Sequence, residues 1–291
     1  MFAEFLQYLL SGITVGATYA LVALGFSIIY NASHVINFAQ GEFLMLGGMS
    51  TVFLMGLGFP MPLAIVAAVL ITVAAGFLLE KLAVEPARGA GVVPLIIITI
   101  GASMFLRGLV QVVWGKEIHP MPSFSGDTPL DFFGASILPQ SIWVLVITVI
   151  MVICLGYFFN RTLLGKAILA TAHNRTAAQL VGININFILL ISFGLSAMLG
   201  AVAGIIIAPI TLTAYDVGIM LGLKGFVAAV LGGLGNFYGA IVGGVILGIT
   251  EMMAAGYISS EYKDAMPFIL ILFILFFMPN GLFGARSTER V

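Results

Sequence analysis

Apolar runs, most of them long enough to cross a bilayer, recur along almost the whole chain, and no other feature limits the fold as severely. Residues 5–30, 63–82, 92–114, 140–159, 187–208, 217–234, 238–257 and 265–278 are dominated by aliphatic, aromatic and small side chains. A hydrocarbon core about 30 Å thick needs roughly 20 helical residues to cross, and only helices or closed barrels satisfy their backbone groups there. With 61% of the 291 residues hydrophobic, 8% charged and a mean hydropathy of +1.19, the chain cannot cover itself with a polar surface. The expected fold class is an all-α polytopic membrane protein with about eight transmembrane helices plus a broken or re-entrant segment. No basic residues precede the first run, so it reads as an uncleaved helix and not as a removed signal peptide. A net charge of −1 argues against nucleic-acid binding, and the single Cys154 excludes an internal disulfide.

The long polar interruption at residues 160–186 reads NRTLLGKAILATAHNRTAAQLVGININ. It carries Arg161, Lys166 and Arg175 without an acidic residue, and the positive-inside bias assigns it to the cytoplasm. Thr176 and Gln179 have capping-box spacing, residues 177–181 are helix-compatible, and Gly182 can close the end in a left-handed conformation. One short helix outside the membrane is expected. A helix of one or two turns is not stable alone, so it leans on the bundle as a plain connector or docks on a partner. On the same side the runs place Lys81, Arg88, Arg286 and Arg290, against only Lys116 and Lys263 on the other, which leaves the C-terminus cytoplasmic. Residues 116–139, with Glu117, Asp127, Asp131 and several prolines, read as an external loop. If residues 31–58 cross fully there are nine passes and an external N-terminus. If they dip in and out there are eight with both ends cytoplasmic, and the polar break favours the dip.

That break, NASHVINFAQGEFLMLGG at residues 31–48, sets His34, Asn37, Gln40 and Glu42 between two apolar runs. An ionisable group at membrane depth is costly, so Glu42 marks either a translocation path or a buried hydrogen bond that fixes packing. Asn37 is placed to satisfy unwound backbone in a broken helix. Arg107, near the far end of its run, is expected to snorkel to the interface. Residues 222–251, GLKGFVAAVLGGLGNFYGAIVGGVILGITE, are dense in glycine, which permits close helix packing and a break at 232–239 around Gly232, Gly233 and Gly235. Lys224 and Glu251 complete the ionisable groups in apolar sequence. With Glu42 they are candidates for a path or gate, but they look scattered, without a charged pair suited to hold a zwitterion.

The runs INFAQGEFLMLGG, GKAILATAHNRTAAQLVGIN and GLKGFVAAVLGGLGNFYGAIVGGVILGITE resemble, in order and spacing, the LivH-type membrane permease of branched-chain amino acid ABC importers. The resemblance covers nearly the whole chain and implies one transmembrane permease domain over 1–291 in a bacterial inner membrane. It implies that 160–186 is the coupling loop, with Gly165, Arg175, Thr176, Ala178, Gln179 and Gly182 meeting a cytoplasmic ATPase. It further implies a second, homologous permease subunit and an external solute-binding protein, with no cofactor on this chain and ATP on the partner subunit. The solute class implied is branched-chain amino acids or related small solutes. The loop departs from the family at Ile168, Leu169 and Ala170, where an Arg-Ala pair is common.

The residues themselves agree on one negative. Neither Gly115-Lys116 nor Gly165-Lys166 belongs to a GxxxxGK[ST] phosphate loop, and no HExxH, Cys/His cluster or GxSxG elbow is present. An intramembrane enzyme is thus unsupported. A self-sufficient channel or secondary transporter for a small neutral solute uses similar broken helices and buried carboxylates, and it is the competing reading.

Overall fold

The computed structural model describes residues 2–284, so Arg286 and Arg290 lie outside the described residues. Eleven α-helices are found among them: α1 (Phe2–Ser33), α2 (Gln40–Gly56), α3 (Met61–Leu79), α4 (Val92–Trp114), α5 (Pro139–Arg161), α6 (Leu163–His173), α7 (Arg175–Leu180), α8 (Ile185–Thr211), α9 (Val217–Gly232), α10 (Phe237–Tyr257) and α11 (Met266–Phe277). Six have the length and apolarity of a span: α1, α3 with its continuation to Ala90, α4, α5, α8 and α10. Helices α9 and α11 are shorter and apolar.

Two helices, α1 and α8, are buried along most of their length and form the axis of the bundle. Small residues let their neighbours approach. A Cβ on Gly248 of α10 would collide with the backbone of Gly16 on α1, and one on Gly204 of α8 would collide with the carbonyl of Leu44 on α2. Helices α3, α4, α5 and α11 turn large apolar side chains outward, among them Leu70, Ile97, Ile153 and Phe276. Such an apolar outer surface needs lipid around it.

The two ends of the bundle follow from contacts. At one end Gln7 of α1 donates to the Ser136 carbonyl (2.9 Å), Tyr8 packs on Tyr257 (5.4 Å between centroids) and Phe53 packs on Trp114 (5.5 Å). At the other, Asn31 donates to the Gly235 carbonyl (2.8 Å), and Arg88 bonds Asn186 beside the start of α8. Residues 160–186 lie at this second end. Among the described residues the chain therefore makes nine traverses: eight helices and the broken segment at 34–56, which matches the expected eight helices plus a broken segment. The dip favoured for residues 31–58 is corrected. Residues 34–56 continue across, and Phe2 lies at the end opposite to residues 160–186. The polar break did not require a return, because its groups find partners on α4 and α8 and the helix only starts late.

Three local features depart from the sequence expectation. Residues 163–173 form a second loop helix, α6, capped by Thr162, whose Oγ1 accepts from the Gly165 N–H (3.0 Å). A two-stranded hairpin, β1 (Leu130–Phe132) and β2 (Ala135–Ile137), turns through Phe133 and Gly134 at positive φ inside the loop at 116–139. Beyond α3 the chain winds through a π-helical turn at Glu80–Val84 and tight turns at Glu85–Ala90, where Arg88 reaches back to Glu80.

Candidate functional site

The break between α1 and α2 is held open by its own side chains. His34 takes a positive φ of 56°, Ser33 Oγ accepts the Val35 N–H (3.1 Å), and Asn37 Oδ1 accepts the Ala39 N–H (3.1 Å). The Phe38 N–H reaches Thr99 Oγ1 (3.2 Å), and Gln40 Nε2 donates to the Ser196 carbonyl (3.1 Å). Ser196 lies near the middle of α8, so α2 begins deep in the bundle. A second late start mirrors it. After Leu212, at φ 62°, helix α9 begins at Val217, and its Gly218 meets Gly41 of α2 so closely that a Cβ on either would strike the other's carbonyl. Two helix N-termini, each bringing the positive end of a helix dipole, thus converge inside the bundle, with first-turn N–H groups of Gln40, Glu42, Val217 and Ile219 bonded to carbonyls of the preceding turns.

Beside this crossing stands Glu42, whose side chain is 2% exposed. Ser103 Oγ donates to its Oε1 (2.8 Å), and Arg107 Nη2 lies 3.3 Å from the same oxygen. Among the described residues Glu42 Oε2 and Arg107 Nε have no hydrogen-bond partner. The two residues line a cavity of about 150 Å³ walled also by Phe26, Phe38, Ser103 and Phe226. The snorkelling expected of Arg107 is therefore corrected: its guanidinium turns inward because a buried carboxylate attracts it more than the interface does.

Lys224 and Glu251 are likewise not scattered. Lys224 Nζ lies 2.6 Å from Glu251 Oε1 and 2.6 Å from Asp264 Oδ1, and Tyr19 Oη donates to Glu251 Oε2 (2.8 Å). The cluster ties α1, α9, α10 and the loop before α11. The hydrogen bond from Lys224 holds the Asp264 carboxyl below its ordinary pKa, against a smaller upward push from burial. Gly232, the last residue of α9, and Gly233 and Gly235, in the turn to α10, sit apart from the Glu42 cavity. There Gly233 and Gly235 take positive φ, and Asn236 caps α10 through the Gly239 N–H (2.9 Å). Asn37 lines a third place, a cavity of about 170 Å³ shared with Arg88 and Arg175, where its Nδ2 has no partner among the described residues.

The loop helices complete the picture. Helix α7 is capped by Asn174, whose Oδ1 accepts the Ala177 N–H (2.9 Å), so the capping box read at Thr176 and Gln179 is corrected: the cap lies two residues earlier and both side chains are exposed. Gly182 does take the left-handed conformation, at φ 89°. Gly165 and Ala178 are buried, and at Gly165 a Cβ would strike the Phe158 carbonyl. Arg175 is half-buried, whereas Leu163, Leu180 and Val181 stand 87%, 84% and 77% exposed without cover. Ser103, Arg107, Asp264 and Tyr19 were not among the candidate residues read from the sequence. Ser103 and Arg107 carried a usable signal, a serine and an arginine four residues apart on one face of an apolar run.

Buried ion pairs, one of them beside a helix break, inside a bundle with an apolar exterior place the chain in the class of helical membrane proteins with polar groups at membrane depth. A family model described as the permease component of the branched-chain amino acid transport system matches residues 8–275, and the chain belongs to this family. It is 35% identical to the high-affinity branched-chain amino acid transport system permease protein LivH of Escherichia coli strain K12, over 100% of this chain and 99% of that protein. It is 33% identical to the corresponding permease protein BraD of Pseudomonas aeruginosa, over 99% and 98%. The fold is similar to a chain in the structure of PsaBC from Streptococcus pneumoniae in complex with Fab, with a TM-score of 0.54, 11% identity and coverage of 96% and 97%.

Proposed function

We propose that this chain is the membrane-spanning subunit of an ATP-driven importer that carries leucine, isoleucine and valine, or related small solutes, received from an external binding protein. ATP is bound and hydrolysed on separate cytoplasmic subunits, and a second, homologous permease completes the pore. The loop at 160–186 and the C-terminus face the cytoplasm, and Phe2 faces out. The observation that carries this reading is the uncovered tip of the loop: Leu163, Leu180 and Val181 are exposed at the end that also bears Arg161, Lys166 and Arg175. Exposed apolar side chains on short helices, away from the lipid-facing belt, favour a protein partner. In this reading Arg175, Thr176, Gln179 and Gly182 meet the ATPase, while Gly165 and Ala178 seat the loop on the bundle and pass its movement to α5 and α8.

The path runs beside the late starts of α2 and α9, at Asn37 and Glu42, with Lys224 and Glu251 holding α9 to α10 and Gly232, Gly233 and Gly235 letting the inner turn flex. Co-expression with candidate ATPase and binding-protein genes, followed by uptake in vesicles, tests the reading. Uptake that requires both partners supports it. Uptake by this chain alone, driven by an ion gradient, favours a secondary transporter.

A further inference from the structure

We propose that the cavity between Glu42 and Arg107 is a transient binding station for the zwitterionic head of an aliphatic amino acid, an inference that rests on the permease reading above and assigns residues to its solute. Four observations converge on the cavity. Glu42 lines the cavity, is 2% exposed, and its buried Oε2 has no partner among the described residues, so the carboxylate lacks a donor that a small shift of its side chain would let an occupant supply. An ammonium group supplies three such donors. Arg107 uses Nη2 on Glu42 and Ser103, while its Nε is unpartnered, leaving donors for a carboxylate. The N-termini of α2 and α9 meet at Gly41 and Gly218, directly beside the carboxylate of Glu42, and the positive ends of their dipoles favour a negative charge there, which an ammonium then needs.

The fourth observation is the wall. Phe226 packs 5.7 Å from both Phe26 and Phe38, giving an apolar surface next to the charged groups. A cavity of about 150 Å³ is well below the ~300–1,000 Å³ of drug-sized sites, which limits the occupant to a small solute. An aliphatic side chain on the aromatic wall, an ammonium on Glu42 Oε2 and a carboxylate on Arg107 use every unfilled feature. Occupancy is brief by design of the site, because the solute must share Arg107 and Glu42 with each other, and a path conducts only when its sites release.

The test uses the full chain in lipid nanodiscs with the subunits that co-purify with it, leaving out the external binding protein. Saturation-transfer NMR reads three probes: L-leucine, L-leucinamide, which lacks the carboxylate, and 4-methylpentanoate, which lacks the ammonium. The proposal expects leucine to saturate in the millimolar range and each one-ended analogue to bind at least about tenfold more weakly. E42Q and R107Q each weaken leucine at least about fivefold. The double variant E42Q/R107Q removes both charges together, leaves no unpaired ion to unfold the protein, and loses the site. Phe226→Ala, which keeps the charges, weakens leucine more than glycine. Unchanged leucine binding in the folded double variant overturns the station. Vesicle uptake reads the other hypothesis separately: normal uptake with unchanged binding in the double variant removes the station alone. Leucine bound by the wild type and lost in the double variant, without any ATP-dependent uptake, keeps the station and removes the import reading.

Discussion

Lys224 Nζ lies 2.6 Å from Glu251 Oε1, an ion pair that joins α9 to α10 with both side chains almost fully buried, at 6% and 4% exposed. Lys224 also reaches Asp264, so one ammonium serves two carboxylates on either side of the last helix turn. Removing one partner of a buried pair leaves an uncompensated charge, at a cost of about 3–5 kcal/mol, whereas removing both together is often close to neutral. Lys224→Met is expected to lower thermal stability most, since it strands Glu251. The double change Lys224→Met with Glu251→Gln should recover most of the loss, because half-exposed Asp264 can be hydrated. Thermal melting followed by size-exclusion chromatography reads both, and equal stability of single and double variants would contradict the account.

The same lysine gives a pH dependence with a definite sign. Asp264 is held below its ordinary value by the Lys224 hydrogen bond, so its folded pKa is lower than its unfolded one. A group of that kind contributes stability that is fully present above the unfolded carboxylate pKa of about 3.9 and is lost as pH falls through the lower folded value. Melting temperature should therefore show no Asp264 contribution to its slope between neutral pH and pH 5, and Asp264→Asn should flatten part of the decline on further acidification. A decline that is identical in the variant would mean that other carboxylates carry it.

Coupling gives the third expectation. Gly182 holds φ 89° and its N–H bonds the Gln179 carbonyl (3.0 Å), a geometry proline cannot adopt. Gly182→Pro and the charge reversal Arg175→Glu should each reduce both ATPase co-purification and uptake at least about tenfold, the scale of a change near 1.4 kcal/mol, while membrane yield stays near wild type. Unchanged co-purification and uptake in both variants would make the loop a mere connector.

Helix crossings supply a contrast that needs no partner. At Gly41 and at Gly248 a new Cβ would run into backbone of Gly218 and Gly16, and backbone cannot swing aside as a flexible side chain can. Gly101 of α4 has nothing within 4 Å of its would-be Cβ. Gly41→Val and Gly248→Val should abolish monodisperse protein, whereas Gly101→Ala should be neutral or stabilising by up to ~1 kcal/mol, the helix penalty of glycine. Fluorescence-detected gel filtration of tagged protein separates these outcomes, and equal yields of all three variants would overturn the packing argument.

The spans were legible because burial in lipid forces long apolar runs, and each run from 5–30 to 265–278 corresponds to a helix. The loop at 160–186 stood out by charge and by Gly182. What stayed hidden was long-range. Whether residues 34–39 turn back or carry on depends on Thr99, which accepts the Phe38 N–H, and on Ser196, whose carbonyl accepts the Gln40 side-chain amide, and both lie far along the chain. Pairings such as Lys224 with Asp264, or Glu42 with Arg107, depend on which helix faces settle together, and neither periodicity nor local spacing encodes that. Helix α6 and the cap at Asn174 were local and could have been read, since Thr162 stands three residues before Gly165 and Asn174 three before Ala177, the reach of a capping side chain.

The most direct test of the account is leucine uptake into proteoliposomes that hold this chain, assembled stepwise. With the second permease, the ATPase subunits, enclosed ATP and the external binding protein all present, radiolabelled leucine should accumulate, and omission of any one component should reduce the rate to that of empty vesicles. Saturable leucine uptake by this chain alone, without ATP and without a binding protein, would contradict the central claim.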